Sequence, residues 1–243
     1  MLKLIHTEFL KLRRRKFIFI MMLAALVMPF FALLYFRYFG HEGIEPMQFY
    51  RISAFGYTLW IVLPFILGIL STVIMYDENR NDMLKQLWIV PVSKMGYFFS
   101  KFFIVLIYSV CFMLITAVFS VAFSVLSGYV SFDFNSVLLL FGRSLQTGVL
   151  VAFAVLPVVA AAAMSKGYIL PVFAALIYNF LGFFTASLNM YLHPLSSTAV
   201  IIMPDTSAAS QTEPANIPLA LLCIGVWGTA SVLTAYTALK KRK

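Results

Sequence analysis

The chain has 243 residues, of which 62% are hydrophobic and 11% are charged, and its mean hydropathy is +0.94. A soluble domain of this size cannot bury so much apolar surface, so the composition excludes a soluble protein and indicates a polytopic membrane protein. The formal net charge of +9 comes mostly from basic residues that flank apolar runs. That distribution is typical of membrane topology signals and anionic headgroup contacts, and it argues against a nucleic-acid partner.

The N-terminal segment 1–16 predicts an amphipathic helix suited to lie in the membrane interface. Basic residues occupy the sides away from an apolar stripe made of Leu2, Ile5, Phe9 and Leu12. A signal peptide is the competing interpretation, because a basic segment precedes an apolar run. The uncharged run 17–36 is 20 residues long, which exceeds a usual signal-peptide core, and no small-x-small cleavage site ends it. We therefore expect a retained first span.

Six apolar runs of spanning length predict an all-α integral membrane protein, and the absence of repeats or linkers predicts one transmembrane domain over 1–243. An even number of spans places both termini on the same side. That side would hold 15 of the 18 basic residues, which predicts that the N-terminus and the C-terminus both face the cytoplasm. The predicted spans are 17–36, 53–76, 102–126, 137–165, 168–190 and 218–239.

Three polar residues within the predicted spans are candidates for a substrate path. Arg143 and Gln146 lie near the start of the fourth span, and Asn179 lies near the middle of the fifth. Each has an alternative role, since an arginine near a span end can snorkel to the surface and an asparagine can form a structural hydrogen bond between helices. The outer segment 191–217 contains an apolar piece too short to span, which could form an interfacial or re-entrant helix.

The segment 77–101, between the second and third spans, carries three acidic and four basic residues and must lie in water. N-cap residue types around Asn81 and Asp82, and the break imposed by Pro91, predict a short helix over about 82–90. One face of that helix is apolar and needs a partner. The alternative is an ordinary loop resting on lipid headgroups. The apolar face consists of Met83, Leu84, Leu87 and Trp88.

The same segment resembles the first cytoplasmic loop of ABC-2-type permeases, and more narrowly the permeases of lantibiotic self-immunity and bacitracin-resistance transporters. The matching features are the acidic Glu78, the run Leu84 to Leu87, Pro91-Val92, Lys94 and Lys101. Near the N-terminus, Glu8 followed by Lys11 is similar to the elbow helix of these permeases. One departure is Asn81-Asp82, which replaces a Gly-Thr pair common in the broader family.

The resemblance implies a permease subunit of an ATP-driven exporter in a bacterial cytoplasmic membrane. Its partners would be membrane lipids, a cytosolic ABC ATPase in two copies that carries ATP and Mg²⁺, and a second permease, identical or a sister chain. The cargo would be a hydrophobic peptide or small amphiphile. The 82–90 helix would couple to the ATPase, with orientation fixed by the charged residues beside its apolar face: Asp77, Glu78, Arg80, Asp82 and Lys85.

The residues themselves give no indication of catalysis in this chain. The three histidines lack metal-ligand spacing, and the two cysteines lie in apolar runs, so we expect neither a metal site nor a catalytic residue. No G-x-x-x-x-G-K-[ST] motif occurs, so the energy for active transport would come from another chain or from an ion gradient. The lack of Asp, Glu and Lys deep in the spans disfavours the ion gradient. A permease for a drug, a bacitracin-like compound or a lipid is the nearest alternative, and a non-transporting sensor or scaffold is the alternative from another class.

Overall fold

The computed structural model describes residues 2–13, 16–39, 45–80, 93–128, 130, 132–204 and 215–241. Within these residues six helical segments are long and apolar enough to cross a membrane, each of 20 to 33 residues. This confirms the predicted all-α class and the predicted number of spans. The spans are Lys16–Phe39, Pro46–Glu78, Lys94–Leu126, Phe134–Ala154, Ile169–Leu188 and Ile217–Lys241.

An N-terminal helix, Leu2–Arg13, precedes the first span and packs on the third. Its side facing the bundle is centred on a polar residue, Glu8, which is 5% exposed. The apolar Phe9 and Leu10 remain 43% and 49% exposed. The apolar side of this helix is thus free to face lipid, as an interfacial helix requires, and its location in the interface stays a prediction.

The first two spans change helix type along their length. The first runs as α-helix Lys16–Met22, 3₁₀ helix Leu23–Leu26 and α-helix Val27–Phe39. The second begins as α-helix Pro46–Tyr50, continues through π-helical segments and becomes regular at Leu63–Arg80. Pro64 lies at this last transition, where its missing N–H would interrupt a continuous helix. The π-helical segments are Arg51–Phe55 and Thr58–Val62.

The third span is longer than predicted, because its helix is Lys94–Ser127 rather than 102–126. Ser93 caps the helix, with its side chain accepting a hydrogen bond from the N–H of Gly96, so the helix begins eight residues earlier than the apolar run does. It ends at Gly128, whose φ of 69° is left-handed. At the other flank of 77–101, residues 77–80 continue the helix of the second span.

The predicted fourth span, 137–165, is two helices. Phe134–Ala154 begins at Asp133, which accepts hydrogen bonds from the N–H groups of the next turn, and Leu156–Met164 follows after a break at Val155. Pro157 lies in the first turn of the second helix, where its missing N–H removes no bond that the helix needs. The helix long enough to span is therefore Phe134–Ala154, and the last part of the predicted range 137–165 forms a separate short helix.

The last two spans, Ile169–Leu188 and Ile217–Lys241, enclose a short helix, Pro194–Ile202. All nine residues of this short helix are buried, and it packs on the fourth, fifth and sixth spans. It lies in the predicted outer segment 191–217 and is too short to cross a bilayer. We call the end of the bundle with this helix the far end. The opposite end, which carries the N-terminal helix and Lys94, Lys101 and Lys240, is the basic end.

Candidate functional site

Four charged side chains from three helices meet at the basic end of the bundle. Glu8 and Lys11 are three residues apart on the N-terminal helix and so share one face. Glu78 lies near the end of the second-span helix, and Lys101 lies about two turns into the third-span helix. Because the N-terminal helix packs on the third span and the third span on the second, the four side chains converge. We call them the ion cluster.

The ion cluster is closed by four hydrogen-bonded ion pairs. The Nζ atom of Lys101 lies 2.6 Å from Oε1 of Glu78 and also donates to Oε2 of Glu8. The Nζ atom of Lys11 lies 2.8 Å from Oε1 of Glu8 and 2.8 Å from Oε1 of Glu78. Among the described residues, two carboxylates thus face two ammonium groups, so the charges of these four side chains balance. Each lysine bridges the N-terminal helix to the second span.

Because the ion cluster is buried, breaking it costs more free energy than breaking a surface ion pair. Lys101 is 1% exposed, and Glu8 and Glu78 are each 5% exposed. The aromatic ring of Tyr97 lies one turn away, with its centroid 5.3 Å from Nζ of Lys101. A buried charge that loses its partner costs about 3–5 kcal/mol. Separating the three helices here would therefore be expensive, so we expect them to move as one body.

Lys11 is the exposed member, with 40% of its side chain accessible. Burial acts to lower the pKa of Lys11, but the hydrogen bonds and negative charges of Glu78 and Glu8 outweigh it and raise that pKa above 10.5. The group therefore stays protonated throughout the physiological range. The contribution of Lys11 to stability is fully present at neutral pH and is lost only as pH rises through the raised value.

A second contact links the basic end to the last span. The Nζ atom of Lys94 donates to the carbonyl oxygen of Leu239 at 2.8 Å and to that of Lys240 at 3.3 Å. Carbonyl groups at the end of a helix have no partner within the helix, and a cation there also suits the helix dipole. The start of the third span is thereby tied to the end of the sixth.

The structure brings together three residues that the sequence had marked separately, Glu8, Lys11 and Glu78. Lys101 was marked only through the family resemblance, because a lysine that directly precedes a long apolar run is also what a topology signal predicts. Asp77 and Arg80 belong to the same helix as Glu78. The other predicted coupling residues lie outside the described residues, and their role stays a prediction: Asp82, Met83, Leu84, Lys85, Leu87, Trp88 and Pro91.

The residues predicted for a substrate path have different surroundings. Arg143 donates to the carbonyl oxygens of Ile202 at 2.5 Å and Ile201 at 3.5 Å, which caps the C-terminal end of the buried helix. Gln146 is exposed, and Asn179 is buried, with no hydrogen-bond partner for its side chain among the described residues. A role for the three in a substrate path stays a prediction.

Six apolar helices with charged residues buried at one end define a polytopic α-helical membrane protein. The chain matches the family model described as ABC-2 family transporter protein over residues 4–182. It therefore belongs to the ABC-2 transporter family, as a membrane-spanning permease, and membership implies association with an ABC ATPase. The matched range includes the whole ion cluster. A search of the curated proteins finds no match for the chain.

Proposed function

We propose that this chain is the permease subunit of an ATP-driven exporter, and that the ion cluster transmits the movement of the ATPase to the spans. The proposal rests on the ion cluster, in which Glu78 and Lys101, at the two ends of the 77–101 segment, are both paired with the N-terminal helix. In this proposal the basic end faces the cytosol, in agreement with the excess of lysine and arginine there.

The ATPase docks on the 82–90 segment, with the apolar Met83, Leu84, Leu87 and Trp88 as the buried contact. The chain on either side of that segment leads into the helices that carry Glu78 and Lys101. A push on the segment displaces both helices together, because three ion pairs between helices resist their separation, one of them directly and two through the N-terminal helix. Lys94 passes the same displacement to the sixth span.

The cargo is a hydrophobic or amphiphilic molecule, and the resemblance to immunity permeases favours an antimicrobial peptide. A drug, a bacitracin-like compound or a lipid is the alternative within the class. ATP and Mg²⁺ bind to the ATPase, present in two copies. The translocation path is completed by a second permease, since six spans are half of the number typical of ABC translocators.

Two variants separate docking from transmission. Leu84→Asp combined with Leu87→Asp is expected to abolish co-purification with co-expressed candidate ATPases. Lys11→Gln is expected to leave co-purification intact and to lower cargo-stimulated ATP hydrolysis several-fold, because it removes two of the four ion pairs without burying an unpaired lysine.

Lys16→Gln is the matched control, since Lys16 is an exposed lysine at the same end and lies outside the ion cluster. If the double aspartate variant still binds the ATPase, the docking surface is wrong. If Lys11→Gln and Lys16→Gln have the same effect on cargo-stimulated ATP hydrolysis, the ion cluster does not transmit the movement of the ATPase. If no candidate ATPase co-purifies with the unmodified chain, a sensor or scaffold becomes the better hypothesis.

A further inference from the structure

An apolar cavity of about 370 Å³ lies at the basic end, between the N-terminal helix, the first span and the third span. This volume falls within the range of pockets that hold small molecules. Along the third span the lining extends from Ile104 to Cys111, a rise of about 10 Å for seven residues of helix. None of the four residues of the ion cluster lines the cavity. It is therefore a separate feature, and it follows the direction of the spans inward from the basic end.

The described lining of this cavity is apolar in its interior. The hydroxyl group of Tyr108, a buried residue, donates to the carbonyl oxygen of Ile18 at 3.2 Å, so its proton is already used. Cys111 behaves as a small hydrophobic residue in such surroundings. The other polar side chain of the lining, His6, is exposed rather than enclosed. An apolar chain therefore suits this interior better than a polar molecule, whose desolvated groups would lack partners there.

One side of the cavity is open to the surroundings of the bundle. Phe9, Leu10 and Phe19 line it and are 43%, 49% and 59% exposed. In a protein whose spans cross a bilayer, exposed apolar residues of an amphipathic helix and of the adjoining span face lipid chains. A lipid of the adjacent leaflet can thus enter the cavity from the side, without its chain passing through water.

The sequence places positive charge next to this cavity. Leu12 and Ile18 both line it, and the residues 13–15 between them are three consecutive arginines. Each arginine is at most three residues from a lining residue, which corresponds to no more than about 11 Å of extended chain. The sequence 9–36 contains no acidic residue that could neutralise this run locally. Clustered basic residues beside a span attract anionic lipid headgroups.

We propose that this cavity holds one acyl chain of an anionic phospholipid. The chain lies between the N-terminal helix and the spans, against Phe9, Met22 and Ile107, and the phosphate lies beside the arginine run. The occupant is a phospholipid because the cavity opens sideways to the leaflet and because the neighbouring charge lies where the headgroups are. The inference does not rest on the proposed function, since a lipid of the surrounding membrane needs neither an ATPase nor a cargo.

The test is native mass spectrometry of the purified full-length chain in a nonionic detergent, which counts the lipids that stay bound. The probes are phosphatidylglycerol, phosphatidylcholine with the same acyl chains, and a fatty acid of the same chain length. One phosphatidylglycerol molecule is expected to stay bound, at a concentration about ten-fold lower than the other two probes require. Equal retention of phosphatidylglycerol and phosphatidylcholine would overturn the proposal. Equal retention of the fatty acid would also overturn it, in favour of a single-chain amphiphile.

A filling variant assigns the bound lipid to the cavity. Cys111→Phe narrows the cavity from the third span and is expected to lower the retention of phosphatidylglycerol several-fold. Val118→Phe is the matched control, because Val118 lies about two turns farther along the same helix, is exposed and does not line the cavity. Equal retention by the two variants would show that the lipid binds elsewhere.

A charge variant assigns the headgroup. Replacing Arg13, Arg14 and Arg15 by glutamine is expected to remove the preference for phosphatidylglycerol over phosphatidylcholine. The control replaces Lys241, Arg242 and Lys243 by glutamine, which removes the same charge from the C-terminus. If both triple variants lose the preference equally, net charge selects the lipid and the proposed headgroup position is wrong. Cys111→Phe tests the site even if the arginine variant does not insert.

Discussion

The two ends of this bundle are held by different chemistry. At the basic end, four charged side chains from three helices form buried ion pairs, whereas the far end is closed by a nine-residue helix that has no charged residue. The caps of that short helix are hydrogen bonds, from the N–H of Leu195 to Nδ1 of His193 and from Arg143 to the last carbonyls. Separating the ion pairs costs several kcal/mol, whereas a helix cap contributes about 1 kcal/mol. The basic end is therefore held by charge pairing and is expected to move as one body, whereas the far end is held by the burial of an uncharged helix whose caps open at lower cost.

The largest expected effect on stability comes from breaking the ion cluster at the basic end. Lys101→Met leaves Glu8 and Glu78 facing each other with Lys11 as their remaining ion-pair partner within the described part of the chain, so the free energy of unfolding in detergent should fall by about 3–5 kcal/mol. Lys166→Met, at an exposed lysine of the same end, should change it by less than about 0.5 kcal/mol. Restoring charge balance by adding Glu78→Gln should recover part of the loss. Similar stability of the Lys101 and Lys166 variants would remove the basis of the comparison.

The far end should instead respond to acid. Burial lowers the pKa of His193 to about 4, from 6.5 in an unfolded chain, and its neighbours are the rings of Tyr178 and Trp227. The unfolded state therefore takes up a proton first. The contribution of His193 to stability is constant above pH 6.5 and falls between pH 6.5 and 4, by up to about 3 kcal/mol.

His193→Asn is the control for this pH dependence, since asparagine keeps a side-chain acceptor for the helix cap and does not titrate. The measurement is the apparent melting temperature across this pH range. The slope of the variant should be shallower than that of the unmodified chain. Parallel slopes would show that carboxylates elsewhere dominate the acid response and that His193 is not the acid-sensitive group of the far end.

The contact between the third and fourth spans lies away from the ion cluster and from the caps of the buried helix. It therefore provides a reference for the size of the other effects on stability. A Cβ atom added at Gly148 would lie 2.9 Å from Cα of Val110, so Gly148→Ala forces the two helices apart and should cost about 1–3 kcal/mol. Gly142→Ala on the same helix meets nothing within 4 Å and should be neutral or slightly stabilising. Thermal unfolding of the two variants, measured side by side, gives the scale for the other effects.

The smallest effect concerns the cap of the buried helix. Arg143→Met removes the donor to the carbonyl oxygens of Ile201 and Ile202 and should cost about 1 kcal/mol, whereas Arg143→Lys should retain part of it. Denaturant titration of both variants measures the difference. A loss as large as that of Lys101→Met would mean that the far end is held as firmly as the basic end.

Sequence reasoning found the spans because hydropathy is a local property, summed over some 20 residues. It marked Glu8, Lys11 and Glu78 one at a time, but it could not bring them together, since Glu8 and Lys101 are 93 residues apart and meet only through helix packing. The π-helical turns were not predicted, because the few polar side chains in this largely apolar run, Arg51, Ser53 and Thr58, do not distinguish a π-helical period from an α-helical one. The break near Pro157 was missed although the proline itself predicts it.

The near-complete burial of Lys101 also has a consequence for how the chain is made. An ammonium group entering a bilayer without a counter-ion costs about 2.5–3.5 kcal/mol at the membrane centre. Both of its carboxylate partners, Glu8 and Glu78, precede it along the chain. During synthesis from the N-terminus they are therefore already at the membrane when Lys101 leaves the ribosome, so the order of residues along the polypeptide itself supports orderly insertion of the third span.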